Sequence, residues 1–305
     1  MFALVLAVAA AAIPLTAPGP QGPLSGTLLD AGAGTPVVLI IPGSGPTDRD
    51  GNNPLGVTAA PYRLLAEALA AKHVSTLRID KRGMFGSKAA VSDPNKVTIA
   101  DYAADTHNWI DAARKRTGAS CVWVLGHSEG ALIALAAAQQ PAGICGVVTV
   151  AGAGRKLSDV IREQLRANPA NAPVLDSATA ALDALDRGEH VDVAAMHPAL
   201  QKLFAPPVQD FLIDMFRHDP AKLAASLKVP LLIAQGERDI QVSTGDAKAL
   251  AAAQPAAKLT HFPRMNHVLK DVDSDDRAAN AATYADPSLP VDEGLVDAIV
   301  AFVKH

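Results

Sequence analysis

Apolar residues along this chain fall into two recurring patterns. The first is the short continuous run rich in β-branched residues, at Val37–Ile41, Val122–Leu125, Gly146–Val150 and Val229–Ala234. Runs of this length that end at turn residues predict strands buried on both faces of a parallel sheet. The second is a helical period, over Pro61–Lys72, Ile99–Arg116, Ala131–Gln140 and Thr244–Ala253. Pro61 suits a helix start, where its missing N–H costs nothing. Val291–Val303 opens on Asp292 and Glu293 and is followed by Lys304, which matches the polarity of a helix dipole. Strands alternating with helices of this size imply βαβ units, so the expected class is α/β with a mostly parallel central sheet flanked by helices.

Two regions depart from that rhythm. From about Arg155 to Leu227 no strand-like run occurs, only helix-like pieces such as Leu157–Ala167, Ala178–Leu185 and Val208–Phe216. A helical insertion between two core strands suggests a cap or lid over a site, the alternative being a helical layer elsewhere on the sheet. At the start, Met1–Ile13 is unbroken and apolar, and a Pro/Gly-rich stretch follows at Pro18–Pro23. The run is too short for a bilayer span and has the length of a signal-peptide core, although no Lys or Arg precedes it. The expected organisation is a signal-like segment over 1–23, a core over 24–154 and 228–305, and a helical cap over 155–227. The expected location is outside the cytoplasm with no stable membrane span after processing; an N-terminal anchor or a cytoplasmic protein are the alternatives.

Composition narrows the function. Of 305 residues 49% are apolar and 19% charged, enough to bury a large core. Lys plus Arg is 27 against 31 Asp plus Glu, net −4, with no basic cluster, which argues against nucleic acid as a partner. The 2 Cys form no thiolate metal motif, and no cofactor is expected. Cys121 and Cys145 each begin a predicted strand; an exported protein could link them, and buried free thiols are the alternative. The oligomeric state is not legible.

The sharpest chemical signal is Gly126-His127-Ser128-Glu129-Gly130, between a predicted strand and a predicted helix. A serine on such a tight turn has its hydroxyl lifted clear of the sheet, beside N–H groups at a helix start. A hydroxyl needs a base to become a nucleophile. His267 lies in a loop after the strand-like Lys258–Phe262 and before the last helix. His261 is its rival but falls within that strand, and His127 is placed to support the turn. Asp239 stands just past the C-terminal end of a predicted strand, where parallel sheets collect ligands, with Glu237 as runner-up. The order Ser128, Asp239, His267 is the order of an α/β-hydrolase triad.

From about residue 25 onward the chain resembles the α/β-hydrolase superfamily, and within it the bacterial carboxylesterases of the EstD type. The resemblance rests on Ile41-Pro42-Gly43-Ser44-Gly45-Pro46-Thr47-Asp48-Arg49-Asp50-Gly51-Asn52, on Asp80-Lys81-Arg82-Gly83 with Gly86-Ser87, and on the Ser128 turn, Asp239 and His267. It implies a cofactor-free serine carboxylesterase acting on short- to medium-chain esters as small-molecule substrates. The backbone N–H groups of Ser44 and Glu129 would form its oxyanion hole. Pro42 stands where the superfamily more often has His. A peptidase or amidase, an acyltransferase, and an inactive binding protein on the same scaffold are the competing readings. Asp48, Asp50 and Asn52 alternate like a calcium loop without completing one, and Asp271, Asp273, Asp275 and Asp276 lack the Gly and Glu of an EF-hand, so a solvated loop is the expectation there.

Overall fold

The structure, a computed structural model, describes residues 11–304. Residues 1–10 of the signal-like run and His305 therefore lie outside the described residues. The strands are β1 (Ala11–Ala17), β2 (Leu24–Asp30), β3 (Val37–Ile41), β4 (Ser75–Ile79), β5 (Val122–His127), β6 (Ile144–Val150), β7 (Leu231–Gly236) and β8 (Lys258–Phe262). They form one sheet in the order β1-β2-β4-β3-β5-β6-β7-β8. The pairs β1/β2 and β2/β4 are antiparallel, and every other pair is parallel. This is the α/β-hydrolase fold.

The period-2 alternation of β-strands explains the two cores. In β3 all five residues are buried. Val37, Leu39 and Ile41 face a cluster with Trp109 and Ile133, while Val38 and Ile40 face Tyr62, Leu65, Leu295 and Ile299 on the other side. The continuous apolar runs are therefore strands covered on both faces.

The helices of the first half are α1 (Pro61–Ala71), α2 (Ile99–Thr117) and α3 (Glu129–Ala137). Pro61 is in the first turn of α1, and Thr98 with Asp101 forms a reciprocal capping box on α2, which ends at Gly118 in a left-handed conformation. The strandless region contains α4 (Leu157–Ala167), α5 (Leu175–Asp186), α6 (Pro198–Leu203), α7 (Gln209–Phe216) and α8 (Pro220–Ala225). Then come α9 (Thr244–Ala253), α10 (Arg277–Ala282) and α11 (Glu293–Val303).

The sheet is larger than the apolar runs announce. Ala11–Ala17, part of the stretch set aside as signal-like, pairs along its whole length with β2, so the fold starts before residue 24. β4 was missed because Thr76 and Arg78 break its apolar run; Arg78 is 6% exposed and pairs with Asp50. Cys121 and Cys145 are joined in a disulfide across the starts of β5 and β6, with Cα atoms 5.2 Å apart, so the free-thiol alternative does not hold.

Candidate active site

Ser128 sits between β5 and α3 with φ 56° and ψ −120°, a region a non-glycine residue enters only when its surroundings force it. The glycines on either side make this possible. A Cβ on Gly126 would overlap the carbonyl of Gly130, and one on Gly130 would overlap the carbonyl of Ile41 at the end of β3. The turn thus packs directly on the strand that leads into the Pro42–Gly45 loop.

Asp239 and His267 come together as their positions at the C-terminal sheet edge suggest. His267 Nδ1 lies 2.8 Å from Asp239 Oδ2, with side chains 7% and 1% exposed. Asp239 Oδ1 accepts from the N–H groups of Gln241 at 2.7 Å and Val242 at 3.0 Å. Burial pushes the Asp239 carboxyl up, but His267 and these two N–H groups more than offset it, and it is held below the ordinary carboxylate range. Glu237, the runner-up, is exposed and makes no side-chain bond to this pair. His261 lies in β8, its Nδ1 buried without a hydrogen-bond partner.

A buried relay joins the three loops. The Gly43 N–H donates to Tyr62 Oη at 3.0 Å, Tyr62 Oη lies 2.8 Å from His127 Nδ1, and His127 Nε2 lies 2.8 Å from the carbonyl of His267. That carbonyl can only accept, so His127 Nε2 carries the proton, Nδ1 accepts, and the Tyr62 hydroxyl donates. Burial foremost, then the nearby His267, depresses the His127 pKa to about 3, so the ring is neutral. Neutrality matters, because the two imidazole centroids are 4.7 Å apart and a charge on one would oppose a charge on the other. His127 supports the turn, as its position indicated; Tyr62, which carries no sequence signal beyond following Pro61, was missed. Asn266 shapes the His267 loop, its Oδ1 accepting from Val268 and Lys270 N–H, both at 3.1 Å.

Ser128 and His267 share no hydrogen bond among the described residues. Contacts of this kind are commonly long before substrate binds. Among the described residues the N–H groups of Ser44 and Glu129 also find no acceptor, which leaves two donors open beside Ser128. Ser44, Ser128 and Glu129 line a cavity of about 670 Å³. Its apolar wall comes from the strandless region, with Leu157, Val160 and Ile161 of α4 and Phe211, Leu212 and Met215 of α7.

The acidic alternations are spent on structure. Asp48 Oδ1 accepts from Asp50 and Asn52 N–H, both at 2.8 Å, and Asn52 Oδ1 accepts from Ala60 N–H. Asp273 pairs with Arg264, Asp275 with Arg238, and Asp276 caps α10. Among the described residues no helix is long and apolar enough to cross a membrane.

A family model described as serine aminopeptidase, S33, matches residues 55–275. The chain belongs to that family. The S33 chain is 27% identical over 241 residues to esterase EstD of Thermotoga maritima, a match covering 77% of this chain and 54% of that protein. It thus spans about half the length of the curated relative it matches. In fold it is similar to the esterase Pf2001 of Pyrococcus furiosus, with 16% identity, TM-score 0.58, and 97% and 92% of the two chains covered. Est1E of Butyrivibrio proteoclasticus is comparable, with 15% identity, TM-score 0.58, and 96% and 99% covered.

Proposed function

We propose that this S33-family chain is a serine hydrolase of carboxylic esters. The observation that carries the reading is the buried His267–Asp239 bond set beside a serine held in a strained strand-to-helix turn. With Nδ1–H donated to Asp239, His267 keeps Nε2 as a proton acceptor. Ser128 Oγ attacks the ester carbonyl as its proton passes to Nε2. The carbonyl oxygen becomes an anion facing the N–H groups of Ser44 and Glu129. His267 then protonates the leaving oxygen, the C–O bond breaks, and the alcohol departs. A water, deprotonated by His267, attacks the acyl-enzyme; the bond from the acyl carbon to Ser128 Oγ breaks as His267 returns that proton to Oγ, and the carboxylic acid departs.

The helices between β6 and β7 act in this reading as a cap that shapes an acyl pocket. Its apolar lining and moderate volume suit short- to medium-chain acyl groups. The family description supports a second reading, an aminopeptidase. Such an enzyme needs a free carboxylate for the substrate ammonium, whereas the Glu129 carboxylate at this cavity is already held by Lys81. Export is part of the proposal, and the disulfide supports it, since such bonds persist in oxidising compartments.

A fluorophosphonate should label the parent protein on Ser128, and Ser128→Ala should lose both the label and ester turnover, by about 10³-fold or more. Preferential turnover of amino-acid p-nitroanilides over p-nitrophenyl esters would move the assignment to the peptidase. A Ser128→Ala protein with parent turnover would end the serine mechanism altogether.

A further inference from the structure

Lys81 follows β4 and is 3% exposed. Its Nζ donates to the carbonyl of Gly43 and to Glu129 Oε1, both at 2.7 Å, and lies 5.3 Å from the centroid of the Tyr102 ring. The Lys81 and Glu129 side chains are each 2% exposed. A buried ion pair is expensive in desolvation and is rarely kept for stability alone. What distinguishes this one is the identity of its two acceptors. The carbonyl of Gly43 and the N–H of Ser44 are the two ends of a single planar peptide unit, so fixing the oxygen fixes the direction of the N–H. Glu129 carries the other open N–H beside Ser128. One ammonium therefore bonds, through two different acceptors, to the peptide that carries the open N–H of Ser44 and to the side chain of Glu129, and both of these residues line the cavity.

We propose that Lys81 is the positioning residue of the oxyanion hole, setting both donors at once. By drawing on the Gly43 carbonyl it also polarises that peptide, which strengthens the Ser44 N–H as a donor. The inference rests on the ester-hydrolase reading, and it predicts an effect confined to states in which the carbonyl oxygen carries charge.

The test compares the parent with Lys81→Met and with the double variant Lys81→Met/Glu129→Met. The double variant leaves no unpaired charge in the interior, so it should fold even where the single one is weakened. The probe is butylboronic acid. Its boron bonds to Ser128 Oγ, the serine proton passes to His267, and the adduct presents a tetrahedral anionic centre to the two N–H groups. Both variants should bind the boronate more weakly by on the order of 10- to 100-fold, a part of what removing an oxyanion donor outright costs. kcat for p-nitrophenyl butyrate should fall by a matching factor, with KM changed by no more than about threefold. A merely structural ion pair predicts the opposite for the double variant, and recovery there of the parent boronate affinity and kcat would overturn the role. Fluorophosphonate labelling of the parent keeps the two claims apart. An unlabelled Ser128 defeats the hydrolase reading, whereas a labelled Ser128 with an unaffected double variant defeats only the assignment to Lys81.

Discussion

His127 is the residue whose protonation the fold resists most plainly. Its pKa falls from the ordinary histidine value to about 3 because it is buried, with His267 adding to the effect. Between pH 6.5 and 3 the unfolded chain therefore binds a proton that the native chain does not. Native stability must fall as pH drops through this window, with a slope from this one group approaching about 1.4 kcal/mol per pH unit. Urea unfolding at pH 7 and pH 4.5 should show that loss in the parent, and His127→Asn should be less stable at pH 7 but much less pH-sensitive. Equal sensitivity in the two proteins would mean that His127 is not held neutral. The proposed triad gives a second residue-scale prediction. Asp239→Asn should lower kcat by about 10³- to 10⁴-fold with little change in KM, and Glu237→Gln should leave both near parent values. His267→Ala should be inactive, whereas His261→Ala should lose stability rather than turnover; reversed rankings in either pair would reassign the acid or the base. The parts of this site legible in the sequence were those with a fixed relation to an element boundary: a serine between glycines at a strand end, and an Asp and a His just past two others. Tyr62 and Lys81 were illegible because their roles depend on long-range contacts, from Tyr62 to His127 and from Lys81 to Gly43 and Glu129.

At the scale of elements, a continuous apolar run is visible when both faces of a strand are covered, as in β3, and invisible when one face is only half covered or the strand carries a buried charge. β2 alternates buried and half-buried residues over Leu24–Thr27 and looks amphipathic, and Arg78 disguises β4 until its partner Asp50 is known. The helices α4 and α7 pose a different question, since their apolar residues are divided between the core and the cavity. Phe211 packs edge-on to Tyr102 at 6.1 Å and also lines the cavity. Phe211→Ala removes a large wall without touching Ser128, Asp239 or His267. In a p-nitrophenyl series from acetate to decanoate, kcat/KM for the long chains relative to acetate should rise by about tenfold. An unchanged ratio would place the acyl group elsewhere and remove α7 from the pocket.

The disulfide acts on the whole molecule. It joins the starts of β5 and β6, and Ser128 follows the other end of β5, about 20 Å away for a strand of this length. Stability and chemistry should therefore separate. Replacing both cysteines by serine closes no 24-residue loop in the unfolded state and should cost about 3 kcal/mol, or about 5 °C in Tm. Ester turnover well below that Tm should be unchanged; a large fall in kcat in the folded variant would show that the sheet transmits the constraint to the turn. The same bond has a mechanical consequence. β5, the Ser128 turn and α3 all lie inside the covalent ring, so tension applied at the chain ends bypasses them. In a single-molecule pulling experiment the oxidised chain should extend about 80 Å less on complete unfolding than the reduced one, the reach of the 24 residues that never bear load.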